Sequence, residues 1–345
     1  MTKSAKNATI NKNMLQKYHK ISAQKIEYSS IKILTGSDLS SRKLALMKIA
    51  SQNPGPVIWL TGCIHGDEVG GIAVIQEIFK RIRKNPLKQG TIYAFPLMNP
   101  IGFETSSRSL TPSQEDLNRS FPGDKNGSLA ERIADKIFTK IVETKPTLVL
   151  DLHNDWIKSV PYTLIDPYPG LRYKEVYETT KKLSQETGFL VINEQETADD
   201  ADELKKTLSG SLLRYNIPAL TLELSESYII NEEFVDDGVK SIWNILSALK
   251  MVEPANKKFM HPSLNSFQGK ILKYSHLPTS STSGIIRFLV KPGIAIKKGQ
   301  SLAEIYNVFG RREEVIKAIG DGVLLGNSDS AVALPGTPLM AFGLL

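Results

Sequence analysis

Apolar residues between positions 56 and 250 follow two alternating spacings. Short runs such as 56–61 (PVIWLT) and 91–98 (TIYAFPLM) are nearly continuous, as a strand covered on both faces requires. Between them, from Asp67 to Arg83, apolar residues recur at 72, 75, 79 and 82, the stripe of a helix lying on a core. The alternation then repeats. Ser128 with Glu131 three positions on predicts a capped helix start, and Ala130, Ile133, Ala134, Ile137 and Ile141 would form its buried face. Further strands are expected at 147–153, 162–165, 189–192 and 219–224, and further helices at 171–187, 201–214 and 234–250. Strands separated by helices predict an α/β fold whose central sheet is largely parallel or mixed, with helices on both faces.

Beyond Pro254 the pattern changes. Residues 269–345 carry no helical stripe and many closely spaced glycines, which predicts a small all-β unit. The stretch 253–268, with two prolines among mixed polar residues, reads as a linker. The expected organisation is therefore an α/β unit over 1–252, a linker over 253–268 and a β unit over 269–345.

Charge and composition alter this picture in few places. The 345 residues carry a formal charge of +7, yet residues 1–48 alone hold ten Lys/Arg against two acids, so the rest of the chain is near neutral. Only Tyr18 and Tyr28 could stack on bases in that segment, which fits a solvated leader and polar first hairpin better than a nucleic-acid or membrane arm. No apolar run approaches the ~20 residues of a membrane helix, and no apolar core of a signal peptide is visible near the start. A cytoplasmic protein is the resulting expectation. The single cysteine, Cys63, excludes an internal disulfide and a Cys-rich zinc cage.

Candidate chemistry collects at strand ends, where open α/β sheets place their ligands. His65 and Glu68 lie in the turn after the first buried strand, spaced so that an imidazole and a carboxylate can converge on one ion. His153 ends another apolar strand, on the face shared by Thr147, Val149 and Asp151. Singly, each is a weak signal. Two histidines and a glutamate nevertheless make a three-ligand catalytic zinc set, with a fourth position left for water. Glu223 interrupts an apolar strand; a buried acid needs a partner or a task, and beside a metal it could act as general base. The long loop after residue 98 holds Asn99-Pro-Ile-Gly102, Arg108 and the run Asp116-Leu-Asn118-Arg119-Ser-Phe-Pro-Gly123, suited to an anionic substrate.

The ordered set H-x-x-E, N-P-x-G, Arg, D-L-N-R-x-F-P-G, D-L-H and a late strand glutamate resembles the succinylglutamate desuccinylase/aspartoacylase family. That family belongs to the zinc carboxypeptidase-like hydrolases, and the resemblance spans about residues 55–250. It implies one zinc ion per chain held by His65, Glu68 and His153, and Glu223 as general base. It implies Arg108 as the group that polarises the scissile carbonyl, although Arg108 stands further from the Asn-Arg pair than in aspartoacylase. Asn118 and Arg119 would hold a substrate carboxylate. Asp116, and less directly Asp151, would orient a ligand histidine from behind. Residues 284–305 and 320–340 resemble the two halves of a lipoyl-type β-sandwich, but the connecting stretch Tyr306-Asn-Val-Phe-Gly310 has no lysine to carry a cofactor.

The reading that follows is a zinc hydrolase that cleaves the amide of an N-acylated amino acid or related small amine. Its expected partner is that small molecule, bearing a carboxylate, with neither nucleic acid nor membrane; homo-oligomerisation is left open. A metallocarboxypeptidase acting on a C-terminal or cell-wall peptide would use the same groups. An inactive binding or scaffold protein would be expected to lack a ligand or the base, and none is missing.

Overall fold

A computed structural model describes residues 24–36, 39–194, 201–264 and 266–345. Most of the basic leader, residues 1–23, lies outside the described residues. The chain opens with the hairpin β1 (Glu27–Thr35) and β2 (Ser41–Ala50), followed by β3 (Val57–Gly62), α1 (Gly70–Lys84), β4 (Thr91–Phe95) and α2 (Pro100–Glu104). Next come α3 (Leu129–Glu143), β5 (Leu148–Asp155), β6 (Lys158–Ser159), β7 (Tyr162–Ile165), α4 (Lys174–Ser184) and β8 (Leu190–Asn193). Then follow α5 (Ala201–Leu204), α6 (Leu208–Arg214), β9 (Ala219–Glu226) and α7 (Glu232–Ala248). The remainder is strands: β10 (Ile271–Ser275), β11 (Gly284–Phe288), β12 (Ala295–Ile296), β13 (Ser301–Tyr306), β14 (Arg312–Lys317), β15 (Gly322–Asn327), β16 (Val332–Ala333) and β17 (Met340–Leu344).

The main sheet has the order β1-β2-β4-β3-β5-β9-β7-β8-β10-β17-β15-β12, with β6 beside β15. At its centre β4, β3, β5 and β9 are mutually parallel, while β2 joins β4 and β7 joins β9 antiparallel, so the sheet is mixed. Alternation divides the side chains as expected. Leu148, Leu150 and Leu152 with Leu220, Leu222 and Leu224 pack against α1 and α7. Val149, Ala219 and Trp59 turn to the opposite core, under α3 and α6. Helices thus cover both faces of the central strands.

Helix limits follow local chemistry. Ser128 and Glu131 close the expected capping box on α3, a device worth ~1 kcal/mol. The helix expected from residue 67 starts at Gly70, because Asp67 and Glu68 belong to a turn that serves the site. The single helix expected over 201–214 is two: the Thr207 side chain accepts from Gly210 N and restarts the chain as α6. The expected helix over 171–187 opens as a 3-10 turn, Leu171–Tyr173, and its α-helical part ends at Ser184.

Residues 269–345 hold no helix among the described residues, as the pattern required. Their strands divide: β10, β17, β15 and β12 extend the main sheet through the β8–β10 pairing, and β14-β13-β11-β16 form a second sheet. Leu302, Ile305, Ile316, Leu324, Met340 and Phe342, from both sheets, form one apolar core.

Candidate active site

The turn between β3 and α1 is tight and strained. Cys63 takes a left-handed backbone, φ 52°, which a non-glycine residue adopts only when its surroundings enforce it. Gly66 packs directly on Gly102 of α2, where a Cβ on Gly66 would lie 2.0 Å from the Gly102 carbonyl carbon. Asn99 caps α2 by accepting from Gly102 N at 2.7 Å. The N-P-x-G run therefore builds a shelf against which the turn is pressed, and His65 and Glu68 are aimed inward together. The Cys63 thiol is pushed up to about 12 by burial and by the Glu68 and Asp67 carboxylates. It stays protonated and offers no ligand.

His65, Glu68 and His153 converge, each buried, with one ligand atom of each within 4.8 Å of the others. His65 Nδ1 lies 2.5 Å from Glu68 Oε1, and His153 Nδ1 lies 2.8 Å from Glu68 Oε2. The outer nitrogens are held from behind. His65 Nε2 faces Asp116 Oδ1 at 3.2 Å, and His153 Nε2 faces Asp151 Oδ2 at 3.0 Å. Asp151 is itself fixed by the Thr61 hydroxyl of neighbouring β3, at 2.7 Å. Asp116 caps the short turn Leu117–Arg119 by accepting from Asn118 N, and receives Arg108 Nη2 at 3.2 Å. Two imidazoles and a carboxylate are the donor set of catalytic zinc, and carboxylates on the outer ring nitrogens are the usual support for metal-bound histidines. The residues fit the ion.

Electrostatics reinforce this pattern. Burial would raise Glu68, but the His65 and His153 rings hold it well below the usual carboxylate range. Burial would lower His153, but Asp151 and Glu68 hold it well above the usual range of histidine. Asp116 is held low, against its burial, by His65, Arg108 and Arg119. Glu223 is the opposite case: burial, Asp155 and Glu68 raise it well above its ordinary value, against the pull of His153 and Arg108. It pairs in register with His153 of β5 and with Tyr162 of β7, and its Oε2 is buried without a hydrogen-bond partner.

A cavity of about 400 Å³ opens in front of this group. His65, Glu68, His153, Glu223, Arg108, Asn118 and Arg119 all line it, whereas Asp116 and Asp151 stand behind the histidines and do not. Their present partners differ. Arg108 is half-exposed and reaches Glu68 at 3.4 Å. Asn118 Oδ1 accepts from Leu208 N at 2.9 Å and so anchors α6 as well as lining the cavity. Arg119 Nε donates to Glu203 at 3.4 Å.

A sequence model of the succinylglutamate desuccinylase/aspartoacylase catalytic domain matches residues 54–249, more than half of the chain. The chain belongs to the succinylglutamate desuccinylase/aspartoacylase family. Within the stretch shared with a curated relative, the N-alpha-acetyl-L-2,4-diaminobutyric acid deacetylase of Halomonas elongata, it is 34% identical over 134 residues. That stretch is 38% of this chain and 39% of the relative, so well under two thirds of the relative's length is covered. The product-bound ectoine utilization protein EutE (DoeB) of Ruegeria pomeroyi has the same fold: TM-score 0.75, 18% identity, 94% of this chain and 98% of that one. A metallo-carboxypeptidase of Burkholderia cenocepacia is similar at TM-score 0.51 and 14% identity, over 69% of this chain and 67% of that one. A deacylase-family chain with a carboxypeptidase-like fold is what these likenesses establish.

Some lining residues carried no motif. Tyr162, Tyr274 and His276 border the cavity, and the Tyr162 hydroxyl donates to Asp155 Oδ2 at 2.9 Å. Tyr162 has a trace in the sequence only as the first residue of the strand expected at 162–165. Tyr274 and His276 have none, because they arrive from β10 and the turn after it.

Proposed function

We propose that this chain is a zinc-dependent deacylase that hydrolyses the amide bond of an N-acylated amino acid or related small amine. The observation that carries the reading is the buried His65–Glu68–His153 cluster beside a Glu223 oxygen that has no partner, all facing one cavity. Zinc held by the three ligands would polarise the scissile carbonyl and acidify the attacking water. Glu223 takes a proton from the attacking water and passes it to the leaving nitrogen, and its upward shift makes it a readier proton acceptor than an exposed glutamate. Water thus adds across the C–N bond, giving a carboxylic acid and a free amine. Arg108 at the cavity wall stabilises the negative charge that develops on the carbonyl oxygen. Asn118 and Arg119 hold a substrate carboxylate, while Asp116 and Asp151 keep the ligand rings in orientation.

The same proposal takes residues 1–252 as the catalytic unit, 253–268 as a connection and 269–345 as a lipoyl-like β unit. Tyr274 and His276 give the last a share in the cavity wall. The Halomonas relative is named for deacetylating N-alpha-acetyl-L-2,4-diaminobutyric acid, so that compound belongs in the first assay panel, with other N-acyl amino acids, their carboxamides and a dipeptide as control. Turnover of an N-acyl amino acid that is lost with a chelator and restored by zinc supports the reading, and turnover indifferent to chelator refutes it. Equal kcat/KM for an acyl amino acid and its carboxamide would show that Asn118 and Arg119 read no carboxylate.

A further inference from the structure

Asn154 follows the ligand His153 on β5 and is 6% exposed. Its backbone N–H donates to Glu68 Oε2 at 3.1 Å. Its Oδ1 accepts from Gly70 N at 3.0 Å, and its Nδ2 donates to the carbonyls of Ser225 at 3.1 Å and Glu226 at 2.9 Å. Both ends of the carboxamide are therefore engaged, each by a different element.

Each engagement meets a need that nothing local supplies. The first amides of α1 need an acceptor, and the residue at the cap position, Val69, has no side chain able to give one. Asn154 caps the helix from another strand instead. Gly70 admits it: a Cβ there would lie 2.7 Å from Asn154 Nδ2 and 2.9 Å from Oδ1. On the other side, β9 leaves its regular path at Ser225, whose backbone is left-handed at φ 69°. The Nδ2 group holds the carbonyls at and after that distortion. One carboxamide thus joins backbone two residues beyond Glu68 to backbone two and three residues beyond Glu223.

Resting on the metal reading above, we propose that Asn154 is a positioning residue that sets the placement of the ligand Glu68 relative to the base Glu223. The role is mechanical: Asn154 borders the cavity, but its carboxamide is spent on the backbone of α1 and β9. Loss of the bracket would let the start of α1 and the end of β9 relax apart, and the Glu68 carboxylate, in the turn that leads into α1, would shift with it.

The test measures zinc affinity by competition with a chelator, the visible absorption of the cobalt-substituted protein, and the melting temperature of the zinc-free protein. Asn154→Ala should weaken zinc binding roughly 10–100-fold, the usual effect of losing a group that orients a ligand. It should also shift the cobalt spectrum, because the ligand geometry changes. A variant that melts lower when zinc-free but binds zinc within threefold of the parent, with an unchanged cobalt spectrum, would make Asn154 a fold-stabilising residue only and overturn the proposal. If that variant does not fold, Gly70→Ala, whose methyl group displaces the carboxamide without deleting it, decides by the same two metal readouts. A parent protein that binds no zinc in this titration would instead sink the metal reading.

Discussion

Burying a carboxylate oxygen with nothing to receive is costly, and Glu223 Oε2 is in that position. The cost makes the group poised rather than stable, and it predicts opposite effects of one substitution on two measurements. Glu223→Gln keeps the shape and removes the charge, so kcat should fall roughly 10²–10⁴-fold while zinc content is kept and the melting temperature does not drop. Near-parental turnover in a zinc-loaded variant would return Glu223 to a structural role. Asp166, on the cavity wall, shows the same economy without catalysis. Burial lifts it from 3.8 to about 6, against a hydrogen bond from Ser209 and the charge of Arg214. Its folded value is raised, so its contribution is fully present below about pH 4 and is lost as pH rises towards 6, a change of the order of 3 kcal/mol. Asp166→Asn should therefore raise the melting temperature relative to the parent at pH 7.5 and leave it unchanged near pH 4. An equal difference at both pH values would contradict the assignment. His65, Glu68, His153 and Glu223 were legible in the sequence because each is a polar residue where an apolar strand ends. Asn154 was not, since its partners lie 71 to 86 positions away and its neighbour His153 offers a sufficient reason for the motif.

Among the elements, the short helix α2 matters more than its length suggests. A Cβ on Gly102 would stand 2.5 Å from Asn99 Nδ2 and 2.6 Å from Ser107 O, so the shelf beneath the ligand turn exists only with glycine there. Gly102→Ala is expected to destabilise by about 1–3 kcal/mol, as overpacking does, and to weaken zinc binding because the turn rests on that shelf. Thermal melts with and without zinc would test this; a loss of stability with unaltered zinc affinity would detach the shelf from the site. Periodicity was a good guide to the long elements and a poor one to their ends. Strand 162–165 lies where its apolar run does, but α1 begins three residues late because Glu68 turns into the site. The gap between α5 and α6 depends on one threonine hydroxyl, and no hydrophobic spacing reveals that.

At the scale of the whole molecule, β8 does not end the sheet. Val191, Ile192 and Asn193 pair with Ile271, Leu272 and Lys273, and Leu190 and Ile192 share a core with Phe267, Leu272, Val323 and Leu325. A chain ended at residue 252 would expose both an unpaired edge and that apolar surface, the conditions for edge-to-edge association. Such a shortened protein should elute as aggregate in size-exclusion chromatography and lack turnover; a monomer that melts like the parent would contradict this. The change of pattern after Pro254 was plain in the sequence. Which strand β10 would join was not, because lateral pairing between distant segments leaves no mark in the spacing of either.

Arg119 already holds an acid before any substrate arrives, since its Nε meets Glu203 Oε2 at 3.4 Å near the solvent. On the proposed reading, docking of a carboxylate is then an exchange of anions on one cation, and affinity reflects the difference between two pairs. A solvent-exposed pair is worth only about 0–1 kcal/mol, so an incoming carboxylate displaces Glu203 at little cost. A neutral molecule has nothing to trade for the resident pair. On that reading Glu203 would be a weak built-in competitor, one that yields readily to an incoming anion.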